Sequence, residues 1–215
     1  MPIPNVLGWA QRLQALAQTG LNYNPPPFDR ERYEQVREIA AEMLAASTSA
    51  EIESINAAFD AQSGHATPKI DVRGVVFRDS KILLVQEKMD NYRWTLPGGW
   101  ADIGESPADA TVREIYEESR YRTRAIKLLA FYDRNKHAHP QFAFHAYKAF
   151  FRCELTDPER QIDASADSAS YTETGEIGFF AEDDIPELST ARVTREQIAR
   201  FFTHLRHPDL PTDFD

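Results

Sequence analysis

The sequence predicts an α/β fold, an α/β/α sandwich with a mixed sheet, preceded by a small all-helical N-terminal domain. Residues 1–66 show helical periodicity, whereas residues 67–215 alternate β-branched apolar segments with two amphipathic helices. The chain has 215 residues, of which 42% are hydrophobic, which is enough to bury one large core and a small second one. We therefore expect a domain boundary after residue 66.

The N-terminal domain is expected to contain three helices. Apolar residues at helical spacing mark the first helix, and Gly20 is expected to end it. Prolines at 25–27 then interrupt the chain, and a second helix should begin near Asp29. Residues 48–51 read Thr-Ser-Ala-Glu, which has the form of a capping box and predicts the start of the third helix. Polar residues 62–68 are the expected linker.

The second domain is expected to begin with a β-hairpin. Residues 71–78 and 81–86 are apolar and β-branched, and Asp79-Ser80 between them is a short turn. Thr194 is the predicted N-cap of a final amphipathic helix. Further strands are predicted at residues 125–133, 142–153 and 175–181.

An acidic helix lies between the predicted strands. Ser106-Pro107-Ala108-Asp109 is typical of a helix start, and the helix should run to about Ser119. Glu114, Glu117 and Glu118 then fall within about 100° of one another around the axis. Three carboxylates on one face repel each other, and a bound cation would reverse that effect. Because the ligands are all oxygen atoms, we expect Mg²⁺ first and Mn²⁺ second.

The spacing around this helix is more specific than its charge. The segment 99–120 reads GWADIGESPADATVREIYEESR, in which Gly99 precedes Glu105 by six positions and Arg113 follows eight positions later. A second Arg-Glu-Ile tripeptide occurs at residues 37–39, but no glycine or glutamate precedes it at the distances of Gly99 and Glu105. The spaced pattern closely resembles the signature of the Nudix hydrolases, which cleave a diphosphate linked to another group X.

The resemblance implies roles for individual residues. Glu114, Glu117, Glu118 and the Gly99 backbone would hold the metal ion, and Arg113 would orient Glu105. Nudix enzymes often place a further acid in a loop, for which Glu173 and Glu176 are the candidates, and Glu117 is the rival candidate for the general base. The candidate catalytic residues are therefore Glu105, Arg113, Glu117, Glu173 and Glu176.

One position departs from the family pattern. The family has glycine two residues after the last glutamate, where this chain has Arg120. A glycine there suits a left-handed helix C-cap, and another residue costs about 1 kcal/mol. We expect this change to affect the end of the helix and to leave the carboxylates in place.

Candidate substrate-binding residues follow the third predicted strand. Arg134, Lys136, His137 and His139 form a dense cationic cluster in a predicted turn, which is suited to phosphate or to the X group, although a solvated hairpin tip would look the same. Trp100 follows the glycine pair directly and is the aromatic candidate for stacking on a nucleobase.

The resemblance extends over nearly the whole chain and indicates one subgroup of the family. The motifs WAQRL at 9–13, FDRERY at 28–33 and DRNKHAHP at 133–140 are similar to those of a Nudix subgroup with a helical N-terminal extension. That subgroup is associated with homodimers and with nucleoside diphosphates linked to X, of the CDP-choline, UDP-X or ADP-ribose type. The alternatives are an RNA-processing Nudix enzyme and a nucleotide-binding module without turnover.

Composition narrows the choice of partners. The net charge of −10 argues against a nucleic-acid partner, because a protein that binds nucleic acid must neutralise many phosphates. No apolar run is long enough to span a membrane, and the N-terminus lacks a signal-peptide pattern. The one cysteine, Cys153, lies in an apolar run and is expected to be buried. We therefore expect a cytoplasmic enzyme.

Overall fold

The chain folds into two compact units. The computed structural model describes residues 5–48, 50–140, 142–161 and 174–215. The first unit comprises residues 1–69 with 141–145, and the second comprises residues 70–140 with 146–215. None of the helices in the described ranges has both the length and the apolar character needed to cross a bilayer.

The first unit contains three helices: α1 (Val6–Asn22), α2 (Pro27–Ser47) and α3 (Ile52–Asp60). Its core comprises Leu7, Ala10, Ala40, Ala41, Leu44, Ile55 and Phe59. Gly20 lies inside α1, so the prediction that it ends the helix is wrong. A Cβ at Gly20 would lie 2.4 Å from the ring of Tyr33, so a larger residue there would displace this ring where α2 packs against α1.

The predicted capping box at 48–51 is also wrong. The N-cap of α3 is Glu51, and its side chain makes no capping hydrogen bond. The Thr48 hydroxyl is engaged at the end of α2, where it donates to the Leu44 carbonyl at 2.9 Å. The same oxygen accepts from the Ala50 N–H at 3.3 Å, so it serves the turn between the helices.

The second unit is built on a seven-stranded mixed sheet. The strands are β1 (Lys69–Arg78), β2 (Lys81–Glu87), β3 (Arg93–Thr95), β4 (Thr123–Asp133), β5 (Ala146–Leu155), β6 (Thr174–Phe180) and β7 (Asp213–Phe214). Their order in the sheet is β3-β2-β1-β5-β4-β7, and β6 also pairs with β2. The β4–β7 pair is parallel, whereas β2 pairs antiparallel with β1, β3 and β6.

The predicted hairpin is confirmed as β1–β2. Arg78 is opposite Lys81, and the two turn residues Asp79 and Ser80 both have positive φ, 50° and 59°. Two consecutive positive-φ residues are the geometry that suits a two-residue hairpin, because their twist matches that of the strands.

Strand β5 begins later than predicted, at Ala146 and not at 142. Residues 142–145 belong to the first unit. The Phe142 carbonyl accepts from Gln11 Nε2 at 2.7 Å, and Phe144 packs against the helical core. The apolar character of this segment therefore serves the helical unit and not the sheet.

Each face of the sheet is covered by one helix. Helix α4 (Pro107–Ser119) packs Ile115 against Val76 and Leu83 on one face. Helix α5 (Arg195–Arg206) packs Phe201 with Val75 and Phe150 on the other. Since α4 lies on the opposite side of the sheet from α5, the second unit is an α/β/α sandwich, as predicted.

Candidate active site

A glycine loop follows β3 and runs beside β1. The Val72 N–H donates to the Gly99 carbonyl and the Gly74 N–H donates to the Pro97 carbonyl, both at 2.8 Å. Gly98 has a φ of +147°, and a Cβ there would lie 2.0 Å from the Val72 carbonyl oxygen. Glycine is therefore required at 98, where the loop approaches the strand closely.

Helix α4 places two of its glutamates against this loop. Its N-cap is Ser106, whose hydroxyl accepts from the Asp109 N–H at 3.1 Å, as the sequence predicts. The Gly98 N–H donates to Oε2 of Glu118 at 3.0 Å. A Cβ at Gly99 would lie 2.9 Å from Oε1 of Glu114, so the glycine pair leaves room for both carboxylates.

Arg113, in the middle of α4, connects four acidic side chains. Its guanidinium donates to both carboxylate oxygens of Glu105, at 2.7 and 3.1 Å. The Nη1 atom also donates to Glu114 at 2.8 Å and to Glu117 at 3.2 Å. Nη2 lies 3.5 Å from the Asp102 carboxylate. Arg113 thus orients the carboxylates while neutralising only one of their charges.

The electrostatics of the helix face favour an added cation. Burial raises the pKa of Glu118 to about 8, and burial also raises the pKa of Glu114. Hydrogen bonding from Arg113 lowers the pKa of Glu105. The charged forms of Glu114 and Glu118 are therefore costly in the protein alone, and a nearby positive charge would lower that cost.

These side chains have the chemistry that a hard divalent cation requires. Glu114, Glu117 and Glu118 offer only oxygen atoms, and they carry more negative charge than Arg113 offsets. Within the described ranges, no three acidic, histidine or cysteine side chains already converge as a closed metal centre. Arg113 holds Glu114 and Glu117, while Glu118 faces the Gly98 N–H, so metal binding would require these side chains to rotate.

The four predicted substrate-binding residues have different environments in the structure. Arg134 is buried, and Lys136 is exposed. His137 lies 3.3 Å from the C-terminal Asp215. His139 lies 2.7 Å from the Thr190 carbonyl, and burial lowers its pKa to about 4, so it is neutral near pH 7. Of these four residues, only Arg134 is fully buried.

The structure describes two of the three remaining candidates, Trp100 and Glu176. Trp100 is 46% exposed and forms an isolated bridge with Asp71 on β1. Glu176 is exposed on β6, and its N–H donates to Gln86 at 3.2 Å. Glu173 lies outside the described residues.

Sequence reasoning missed two features next to the carboxylates. Glu87, at the end of β2, pairs with Arg192 at 3.0 Å and raises the pKa of Glu118 electrostatically. Asp71 lies on β1 between Arg73 and Lys148 and forms ion pairs with both. Asp71 and Arg73 occupy alternate positions of an otherwise apolar strand. This pattern is the sequence signal that could have found them, because charged residues in such a strand normally face solvent.

Arg120 takes the left-handed conformation that the glycine of the family pattern would take. Its φ is 60° and its ψ is 16°, and its N–H donates to the Tyr116 carbonyl. Its guanidinium lies 5.6 Å from the centre of the Tyr116 ring. Arg120 is therefore the C-cap of α4, six residues after Glu114 and two after Glu118.

Two known families match this chain, one over each of its two structural units. Residues 4–59 match the Nudix_N family, described as a UDP-X-like, N-terminal oligomerisation domain. Residues 67–201 match the NUDIX domain family.

Two similar proteins extend over nearly the full length of this chain, and a third covers about two thirds of it. YjhB of Bacillus subtilis (strain 168), provisionally named an ADP-ribose pyrophosphatase, is 45% identical over 96% of this chain and 95% of its own. A crystal structure of a UDP-X diphosphatase covers 98% of both chains at 32% identity and a TM-score of 0.60. An ADP-ribose pyrophosphatase from Streptococcus suis 89-1591 covers 69% of this chain and 100% of its own, at 36% identity and a TM-score of 0.58.

Proposed function

The chain belongs to the Nudix hydrolases, in the subgroup with a UDP-X-like N-terminal domain, and on that premise we propose which bond it cleaves. Membership makes it a hydrolase acting on pyrophosphate bonds. We propose that its substrate is a nucleoside diphosphate linked to X, and that water cleaves the diphosphate to release a nucleoside monophosphate and phospho-X.

The carboxylate face of α4 is the observation that supports this proposal. Glu114 and Glu118 lie against the glycine pair, and Arg113 holds Glu105 and Glu117 beside them. A nucleotide-binding module without turnover would not need this complete set of acids. The set is intact in this chain, which favours a catalytic role.

We propose that Glu114, Glu117 and Glu118 hold Mg²⁺ or Mn²⁺. When bound, such an ion neutralises diphosphate oxygens and lowers the pKa of an attacking water. Gly99 belongs to the proposed set through its carbonyl, which also accepts from the Val72 N–H. Arg113 and Glu105 position the acids and do not need to contact the substrate.

We propose Glu117 as the general base, and Glu176 or Glu173 as the rivals. The side chain of Glu117 is 29% exposed, compared with 13% for Glu114, so Glu117 is the more accessible to a water molecule. A base must lie within one hydrogen bond of the proton it removes. Arg113 fixes one oxygen of Glu117 at 3.2 Å and thereby orients the carboxylate.

The X group is proposed from the relatives and from the charges near the site. Two relatives are named for ADP-ribose and one for UDP-X, so both substrate types are candidates, together with CDP-choline. Arg134, Lys136, His137 and His139 are the proposed contacts for the X group or its phosphate, and Trp100 is proposed to stack on the base. Of these, Trp100 has the exposed ring that stacking needs.

We propose that the helical unit forms a homodimer. Its family is described as an oligomerisation domain, and Leu16, Tyr23 and Phe28 are each at least 64% exposed. Apolar side chains of this size on one unit favour burial against a second copy. Light scattering of Leu16→Glu should show a monomer, and a dimer of unchanged stability would contradict the proposal.

A substrate panel tests the proposed reaction. ADP-ribose, UDP-sugars, CDP-choline, NADH and a short RNA should be incubated with Mg²⁺ or Mn²⁺, and the products identified by mass. We expect a nucleoside monophosphate and phospho-X from at least one diphosphate. Cleavage of the RNA alone would replace this proposal with the RNA-processing alternative.

A further inference from the structure

A cavity of about 370 Å³ opens beside the turn of the β1–β2 hairpin, within the second unit. Its volume lies in the range of about 300–1,000 Å³ that is typical of sites for small molecules. Arg78, Lys81 and Arg160 contribute three positive charges to the described lining, and Asp79 contributes one negative charge. We call this space the hairpin cavity.

Neutral and aromatic groups hold the side chain of Arg78 at the hairpin cavity. Its guanidinium carbon lies 3.9 Å from the centre of the Phe179 ring. Nη1 donates to the Tyr121 hydroxyl at 3.4 Å and to the Pro158 carbonyl at 3.3 Å. Among the described residues, Nε and Nη2 of Arg78 have no hydrogen-bond partner. The guanidinium is therefore oriented through one nitrogen, which leaves the donors of the other two for a ligand.

Arg160 is oriented in the same way, from the end of α4. Its Nε donates to the Ser119 carbonyl at 3.1 Å, and its two terminal nitrogens have no partner within the described ranges. Lys81 lies opposite Arg78 in the hairpin and is exposed. The structure describes no ion pair for any of these three cations. Most of their donors are thus unused at the same cavity.

This local excess of positive charge contrasts with the rest of the chain. Acidic residues outnumber lysine and arginine, 34 to 24, and Arg113 alone lies within ion-pair distance of four acids. Asp79 lines the hairpin cavity, but no described ion pair joins it to a cation there. Asp157 and Glu159, the acids nearest to Arg160 in the sequence, are not part of the lining. The lining therefore carries two more positive charges than negative ones.

The hairpin cavity is remote from the proposed metal-binding acids. Lys81 and Glu87 are the two ends of β2, which at ~3.3 Å per residue lie about 20 Å apart. Glu87 is the end near the metal-binding acids, because it raises the pKa of Glu118 electrostatically. A ligand of the hairpin cavity is therefore distinct from a diphosphate held at α4, and this inference goes beyond the proposed function.

The charge and the donors of the lining favour phosphate over other anions. A phosphate monoester carries about −1.5 to −2 charges near pH 7, which matches the excess of positive charge, whereas a carboxylate carries only one. Planar guanidinium groups also present paired N–H donors that fit phosphate oxygens. We propose that the hairpin cavity binds a phosphate dianion, free or as part of a phosphorylated small molecule, through Arg78, Arg160 and Lys81.

NMR titration of the ¹⁵N-labelled full-length protein in EDTA tests this site. The probes are inorganic phosphate, glucose 6-phosphate and glucuronate, a sugar ring with a single carboxylate charge. Both phosphate probes should shift the amide signals of Ser80, Lys81 and Gly178, and glucuronate should bind at least about 10-fold more weakly. Tighter binding of glucose 6-phosphate than of inorganic phosphate would identify a phosphorylated molecule as the occupant, and equal binding would identify the free ion.

Variants of the lining test which side chains bind the phosphate. Arg160→Met should weaken the binding of inorganic phosphate about 10-fold, since it removes charged donors. Lys81→Met should weaken it about threefold, because the charge of an exposed lysine is screened by solvent and salt. Arg124→Met, which removes the same charge from an exposed pair on β4, is the control and should stay within twofold of wild type.

Thermal unfolding of each variant establishes that the fold is retained. If Arg160→Met does not fold, Lys81→Met and Lys81→Glu at an exposed position carry the test, and the glutamate should weaken binding more than the methionine. Unshifted hairpin signals in wild type, or equal phosphate binding by wild type and the folded Arg160 and Lys81 variants, would overturn the proposal. Shifts confined to Gly98 and Gly99 would place the phosphate at the glycine loop and would also overturn it. Because the titration needs no turnover, this proposal and the proposed reaction can fail independently.

Discussion

Arg113 and Glu105, eight residues apart, form a two-pronged ion pair. Nη2 of the arginine donates to Oε1 of the glutamate at 2.7 Å, and Nε donates to Oε2 at 3.1 Å. Oε1 of Glu105 also accepts from the Asp102 N–H at 3.0 Å. The pair therefore ties the loop before α4 to the middle of the helix, where the remaining Arg113 nitrogen donates to Glu114 and Glu117.

Replacing Arg113 with lysine should lower activity while retaining charge. Lysine is a point donor and cannot make the two parallel bonds to Glu105 while also reaching Glu114. We expect kcat/KM to fall about 10- to 100-fold, as for other residues that orient metal ligands. Arg124→Lys, at the exposed pair with Glu154, is the control and should retain normal kinetics.

Glu118→Gln should abolish most activity without unfolding the protein. The amide oxygen can still accept from the Gly98 N–H, but it supplies no negative charge to a cation. We expect at least about a 100-fold loss in kcat, typical of removing a preorganised electrostatic group. Glu42→Gln, at the matching position of the second Arg-Glu-Ile segment and exposed on α2, should have no effect. Normal turnover by Glu118→Gln would show that the acid has no role.

Gly99→Ala should displace Glu114. The new methyl group would lie 2.9 to 3.1 Å from the Glu114 carboxylate, which is the end of a flexible side chain and can move. We expect an activity loss of at least about 10-fold with a small change in stability, since about 1 Å of misplacement is costly in catalysis. Gly104→Ala is the control: it meets nothing within 4 Å, so it should cost stability through its φ of +97° and leave kcat intact.

Local sequence is sufficient to predict the local structure of α4. The cap Ser106, the carboxylate face and the left-handed position of Arg120 each depend on residues within one or two helical turns. The same holds for the Asp79-Ser80 turn and for Thr194, whose side chain caps α5. The pairing of Arg113 with Glu105 followed from family resemblance, and the structure shows that pair.

Longer-range features could not be predicted in this way. Lys148 and Asp71 are 77 residues apart, and nothing local to either strand indicates that they meet inside the protein. Gly20 has the appearance of a helix end, but it lies inside α1, where the ring of Tyr33 packs close to it. Residues 142–145 have strand-like composition, yet Phe144 packs in the helical unit. In each case the partner that decides the conformation is distant in sequence.

Variants of Arg120 should separate backbone strain from ring contact. Arg120→Gly relieves a left-handed non-glycine conformation, worth about 1 kcal/mol, but loses the contact with Tyr116, worth about 0.5–1 kcal/mol. We expect its free energy of unfolding to be close to that of wild type. Arg120→Ala loses the contact and keeps the strain, so it should be less stable than Arg120→Gly by about 1 kcal/mol in denaturant unfolding. Equal free energies of unfolding for the two variants would contradict the inference that the backbone is strained at Arg120.

The C-terminal segment should make the free energy of unfolding depend on pH in the acidic range. Asp213 accepts from Arg200 at 2.6 Å and from His204 at 2.9 Å, and the hydrogen bonds from Arg200 lower its pKa to about 2. Because the folded-state pKa lies below the unfolded value, this contribution is present above about pH 4 and is lost as the pH falls through about 2.

The shift corresponds to about 2 kcal/mol. Asp213→Asn should therefore be destabilised by about this amount at pH 6, and its unfolding free energy should change less between pH 4 and pH 2. Asp209→Asn, at an exposed carboxylate of the same segment, should follow wild type over that interval. Parallel pH profiles for Asp213→Asn and wild type would rule out this linkage.

Anomalous diffraction from crystals grown with Mn²⁺ and a slowly hydrolysed nucleoside diphosphate tests the metal site most directly. We predict an anomalous peak within bonding distance of carboxylate oxygens from Glu114, Glu117 and Glu118, next to the Gly98-Gly99 loop and touching a diphosphate oxygen. A nucleotide bound at the loop with no peak there, or with the three carboxylates directed into solvent, would contradict the assignment.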